Sequence, residues 1–151
     1  MMDDIDRIME VMEAAFEPRW GEAWNRRQIS SSLALPHTDY TLVGEKGGTP
    51  EEGKPAAGFA LIKIAPGEEE LLLIAVRPEH RGRGLGKRLL DIFANQARKR
   101  GAERIFLEMR ANNPARALYE SHGFEQIGTR KNYYSMDNGD KIDAITFART
   151  L

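Results

Sequence analysis

One continuous stretch constrains this chain more than any other: LLLIAVRPEHRGRGLGKRLLDIFANQARKRGAERIFLEMR, residues 71–110. It opens on an unbroken apolar run, LLLIAV, which suits a strand buried on both faces. A loop follows, with glycines at 82, 84 and 86. Leu85, Leu89, Ile92, Phe93 and Ala97 then fall on one stripe, which predicts an amphipathic helix from about Leu85 to Lys99. Gly101 is placed to end that helix in the left-handed conformation. The run ERIFLEMR predicts a second strand. Strand, helix and strand in this order make a parallel pair joined by a right-handed crossover.

The flanks add to this unit on both sides. Ile5, Ile8, Met9, Met12 and Phe16 predict a first helix, capped by Asp3 or Asp4 and stopped by Pro18. A second short helix is expected over about 25–35, ending before Pro36. DYTLVGEK, AAGFALIKIAP and LLLIAV read as an antiparallel meander, with GGTPEEGKP and a tight turn at GEEE between them. Downstream, NNPARALYESHGF predicts a short helix closed by Gly123. FEQIGTRKNYY and KIDAITFART predict two last strands joined through MDNGD. The expected fold is α/β (α+β by some usage). It is a single domain over residues 1–151, with one mixed, mostly antiparallel sheet, one parallel pair and helices on both faces.

Composition excludes several classes. The chain has no cysteine, so it holds no disulfide scaffold, cysteine nucleophile or thiolate metal site. His37, His80 and His122 lack ligand spacing, and no metal is expected. No apolar run reaches the roughly 18 residues of a membrane helix. The acidic start, MMDDIDRIMEVMEAAF, lacks the form of a signal peptide. A soluble, cytoplasmic protein is expected. Charge is unevenly spread: residues 77–100 hold eight Lys/Arg against two acidic residues, while the rest holds 14 against 21. Such a segment suits an anionic ligand or a solvated helix face.

The glycine loop sharpens that choice. Backbone N–H groups at a strand-to-helix turn form a nest for an anion, and a pyrophosphate is the natural guest. A P-loop is excluded because Arg81 and Arg88 replace its first glycine and its magnesium-binding hydroxyl. A dinucleotide fingerprint fits poorly, with Lys87 where Gly or Ala belongs and Glu108 inside the next strand rather than at its end.

Arg81-Gly82-Arg83-Gly84-Leu85-Gly86, after an apolar strand, resembles the coenzyme A loop of the GNAT superfamily of N-acetyltransferases. LEMRANNPARALYESHGF and RKNYYSMDNGDKIDAITF extend the likeness over roughly residues 56–149, the latter toward the RimI-type ribosomal-protein alanine N-acetyltransferase branch. The spacing after Glu108 is one residue short of the usual. Asn112 or Asn113 can therefore be the family's asparagine, and Asn112 keeps the usual distance to the tyrosine. The resemblance implies acetyl transfer from acetyl-CoA, without a metal, to a protein N-terminus, that of a ribosomal protein. No direct role for nucleic acid or membrane is implied.

The resemblance also assigns residues. Gly82, Arg83, Gly84, Leu85, Gly86 and Lys87 would hold the pyrophosphate. Ile74, Ala75 and Val76 would pair with the pantetheine amides like a neighbouring strand and offer an N–H to the acyl oxygen. Asn112 would touch the coenzyme or hold the loop. Glu108 would be the general base and Tyr119 the proton donor to the leaving thiolate. A carboxylate amid IFLEM is costly unless it has a partner or a task, although the same alternation also puts it on a wetted face opposite Ile105, Leu107 and Met109. A phenol is a weaker acid than a thiol by about 1.5 pK units, so Tyr119 acts better as a hydrogen-bond donor or relay than by full transfer. An N-terminal amine, with a pKa of about 7.7–8.0 against about 10.4 for lysine, is the easier nucleophile. Arg130, Lys131, Tyr133 and Tyr134 resemble the acceptor-side hairpin, and Trp20 and Trp24 anchor the second helix or line the acceptor channel. A lysine or small-amine acetyltransferase, an acyl-CoA sensor and a ribosome-binding module remain alternatives.

Overall fold

A computed structural model describes residues 3–16, 23–136 and 138–151. Pro18, Trp20 and Asp137, to which the sequence assigns roles in the helix stop, the second helix and the last turn, lie outside the described residues.

The element order is the expected one. Helices α1 (Asp4–Ala15) and α2 (Arg26–Leu33) precede strands β1 (Thr38–Val43), β2 (Gly58–Lys63) and β3 (Glu68–Val76). Helix α3 (Leu85–Lys99), β4 (Arg104–Arg110), α4 (Arg116–Ser121), β5 (Glu125–Ser135) and β6 (Lys141–Thr150) follow. Both opening helices begin with reciprocal caps: Asp3 with Asp6, and Asn25 with Gln28. The six strands form one sheet in the order β1-β2-β3-β4-β6-β5. Only β3 and β4 run parallel; the other neighbours are antiparallel.

The two faces of the sheet carry separate cores. Leu89, Leu90 and Phe93 of α3 pack with Tyr119 and Phe124 against Ile105, Leu107 and Phe147 on one face. Ile8, Val11, Met12 and Ile29 of the opening helices pack against Phe59 and Leu61 on the other. β2 contributes to both through alternate residues, and Gly58 lets it approach β3. A Cβ there would lie 2.9 Å from the Ala75 carbonyl oxygen.

The expected tight turn at GEEE is not one. The turn is at Ala65–Pro66–Gly67, and Glu68, Glu69 and Glu70 open β3. An acidic triplet has low strand propensity, but tertiary contacts override it. Glu69 is 1% exposed and accepts two hydrogen bonds from Arg100, at 2.9 and 2.6 Å. Leu72 is the extra residue of a bulge: Leu61 pairs with Leu73, whereas Ile62 pairs with Leu71. The bulge reverses the alternation, so Leu72 and Leu73 both turn toward the opening helices while Leu71 and Ile74 face α3. The unbroken apolar run thus reflects a strand covered on both faces and bulged in the middle.

Candidate active site

The bulge also opens a cleft. β4 pairs with β3 only from Glu68 to Leu71, opposite Arg104 to Leu107. Beyond Leu71 the two strands part, and β3 keeps β2 on its other edge as far as Val76. The gap is a cavity of about 640 Å³, a size that suits a cofactor-sized ligand. Its walls bring together Ile74, Ala75 and Val76 from β3, Gly82, Gly84, Leu85, Gly86 and Lys87 from the loop and α3, and Tyr119 from α4.

The loop end of the cleft has the chemistry of an anion site. Gly82 and Gly84 take φ of +78° and +80°, where a side chain is strained. Gly84 is the N-cap of α3 and offers no side-chain oxygen. The N–H groups of Leu85, Gly86 and Lys87 stand in the first turn, where the helix itself supplies no acceptor. They point the positive end of a 15-residue helix toward the cleft. A Cβ on Gly86 would meet Leu118 Cδ2 at 3.0 Å, so this position keeps α4 close.

The arginines of the loop are otherwise engaged. Arg81 donates to the carbonyls of Val76, at 3.3 Å, and Ala15, at 3.2 Å, tying the end of β3 to the end of α1. Arg83 lies 3.3 Å from His80 Nδ1, and Arg88 donates to the Gly47 carbonyl at 3.3 Å. The positive field remains, and Gly82, Gly84, Leu85, Gly86 and Lys87 stand in the cleft wall.

Asn112 and Asn113 take different places. Asn113 lines the cleft and accepts from the Ala115 N–H at 2.8 Å, starting the turn into α4. Asn112 accepts from Arg110 at 2.9 Å. Of the two candidate asparagines it is Asn113, not Asn112, that lines the cleft; residues that sequence reasoning missed include Arg110 and Leu118, and Ala15 and Phe16 at the end of α1. The α1 pair carries no sequence signal, because only the packing of α1 on the sheet brings it to the cleft.

Tyr119 is buried, with its ring edge-on to Phe124 at 6.0 Å between centroids. Glu108 follows Leu107, the last residue of β4 paired with β3, and so stands where the strands part. Its side chain lies opposite Ile105, Leu107 and Met109 and is 18% exposed. The partner such a carboxylate needs is Arg130 of β5, whose Nε is 3.0 Å from Glu108 Oε2. The Thr146 hydroxyl donates to the same oxygen at 3.3 Å. Glu70 belongs to the same group. Burial holds its carboxyl above the usual range, nearby Glu108 adds to the shift, and Lys63 and Arg130 oppose it.

Comparison with known proteins identifies the architecture. The acetyltransferase (GNAT) family pattern matches residues 5–124. The chain belongs to the GNAT family. Among GNAT relatives, the ribosomal protein bS18-alanine N-acetyltransferase of Escherichia coli K12 is 36% identical over 126 residues, covering 83% of this chain and 79% of that protein. The enzyme of the same name from Haemophilus ducreyi is 31% identical over 150 residues, covering 98% and 94%. The crystal structure of the Escherichia coli ribosomal-protein-S18-alanine N-acetyltransferase superposes with a TM-score of 0.79 at 30% identity, covering 99% of this chain and 90% of that one. A structure of the NatC complex bound to Gag peptide and CoA shares the GNAT fold at a TM-score of 0.76 and 21% identity, covering 100% and 92%. Among the described residues, no group of three or more His, Asp or Glu stands close enough to hold a metal ion. No described helix is long and apolar enough to cross a membrane.

Proposed function

We propose that this protein transfers the acetyl group of acetyl-CoA to the N-terminal α-amine of a protein, the alanine that begins ribosomal protein bS18, in the cytoplasm. The observation that carries this reading is the parting of β3 and β4, with a helix N-terminus at one end and Glu108 at the branch point. The names of relatives that align over most of the chain supply the acceptor.

Acetyl-CoA supplies an acyl carbon activated as a thioester. The N–H groups from Gly82 to Lys87 hold its pyrophosphate, at the end of α3 where negative charge is favoured. The edge of β3 at Ile74–Val76 has lost β4 as a neighbour, so backbone groups on it other than the Val76 carbonyl, which accepts from Arg81, can bond the pantetheine amides as a strand does. An N–H of that edge faces the acyl oxygen as charge develops on it. Glu108 takes a proton from the acceptor ammonium, directly or through a water, and the neutral amine so formed attacks the acyl carbon. Tyr119, in the cleft wall, hydrogen-bonds the leaving sulfur. Asn112 holds Arg110, and with it the end of β4.

The test offers a peptide of the bS18 N-terminal sequence with acetyl-CoA, follows thiol release, and locates the acetyl group by mass. Acetylation of the terminal amine is expected. Glu108→Gln should lower kcat by about 10²–10⁴-fold, the usual contribution of a general base. Its CoA affinity by calorimetry should not change. Acetyl found only on lysine side chains, or E108Q turning over like the wild type, overturns the reading.

A further inference from the structure

The outer strand pair places a cation on the proposed base. β5 and β6 are out of simple register between Arg130 and Tyr134. Asn132, in this bulge, takes φ of +54°, and its N–H is held by Asp143 at 2.8 Å. Arg130 is itself in register with Ala144, and Glu108 with Thr146. On β6, Ala144 and Thr146 point to one face, so Arg130 and Glu108 reach each other across β6 on that face. The guanidinium stacks at 4.7 Å on the Tyr133 ring, which limits its freedom although the side chain is 60% exposed.

Both contacts fall on one oxygen. Arg130 Nε and Thr146 Oγ1 meet Glu108 Oε2, and among the described residues no partner is placed on Oε1. A carboxylate pinned at one oxygen has a fixed plane, so its other oxygen has a fixed direction.

We propose that Arg130 is a positioning residue for acetyl transfer. Together with Thr146 it anchors Oε2 of Glu108, so that Oε1 is presented to the acceptor ammonium. The assignment rests on Glu108 as the base. With Arg130 60% exposed, the pair adds little to stability, so the contact serves geometry more than fold. Misplacing a reacting group by about 1 Å can cost on the order of 10²-fold in rate.

The experiment measures peptide acetylation by wild type, Arg130→Ala, Arg130→Lys and Thr146→Val, with CoA binding by calorimetry as a folding control. R130A should lose about 10–100-fold in kcat, with little change in KM for acetyl-CoA. R130K should recover part of the loss, and millimolar guanidinium added to R130A should recover part of it too. T146V, which removes the weaker contact, should lose less than R130A. Rescue by guanidinium separates positioning from a general packing defect, which a free cation cannot repair. An R130A variant that keeps its kcat while the wild type turns over overturns the assignment alone. A higher kcat/KM for peptide in R130A also overturns it, because Arg130 then competes with the ammonium. A wild type inert toward the peptide overturns the function first and this role with it.

Discussion

The two halves of β3 come from one strand and end as opposites. From Glu68 to Leu71 it is bonded on one edge to β4, and Glu70 and Leu71 pair with β2 on the other. It is also locked from above by the Glu69–Arg100 pair. From Leu72 to Val76 it keeps β2 alone, and the free edge faces the cleft. One inserted residue, Leu72, separates the halves. The closed half spends its backbone groups on the sheet. The open half keeps them for a ligand, and the bulge that frees them costs the chain one pairing rather than a core. On the proposed reading, function depends on where pairing stops as much as on which side chains line the cleft.

The sharpest way to break this comparison is Arg100→Ala. The change leaves Glu69 buried as an uncompensated charge, and removing one partner of such a pair costs about 3–5 kcal/mol. Urea unfolding should show a midpoint well below that of the wild type at unchanged slope. Folded R100A should bind CoA with wild-type affinity, because the closed half does not touch the cleft. Weakened CoA binding at equal foldedness would show that the halves are one unit.

Gly84→Ala strikes the open half. A Cβ there meets no heavy atom within 4 Å, so its cost is conformational: φ is +80°, and a residue with a side chain pays about 1–2 kcal/mol there. The loop can relieve the strain only by turning the N–H groups that precede α3. Stability should fall by about 1 kcal/mol, and CoA affinity by about tenfold, since 1.4 kcal/mol is a factor of ten. The pattern differs from that of R100A, which loses more stability and keeps binding. CoA affinity unchanged in G84A would remove the nest from the site.

Much of this was legible in the sequence, for a physical reason. Glycines fix chain direction locally, and α3 runs over the expected span between Gly84 and Gly101, both at positive φ. The core stripes of α1 and α3 repeat within a few residues and need no tertiary knowledge. Longer-range features escaped. The GEEE segment reads as a turn because its strand pairing depends on Arg100, 31 residues away. The Leu72 bulge is invisible inside a run that is apolar on both faces. The sequence marks Arg130 for the acceptor-side hairpin, but its contact with Glu108 depends on the register of three strands. Asn112 and Asn113 are adjacent, and only the turn into α4 separates their partners.

The smallest effect tests the boundary between the halves. Glu70 belongs to the closed half by pairing with Phe106, yet its side chain interacts with Glu108 and Arg130. Burial raises its pKa above the ordinary 4.5, so the fold favours its protonated form. A carboxyl raised in the folded state gives its stabilising contribution below the unfolded pKa and loses it as pH climbs through the folded value. Glu70→Gln removes that loss. The variant should match the wild type near pH 3 and become the more stable of the two as pH rises from 4.5 toward neutrality. The gain at pH 7 should be well below the R100A loss. Urea midpoints across that range measure the crossing. An equal offset at every pH would show that packing, not charge, sets the difference. The same variant probes the chemistry. If E70Q lowered kcat as far as E108Q is expected to, the closed half would reach into proton transfer, and the division at Leu72 would mark a change of backbone pairing without marking the edge of the active site.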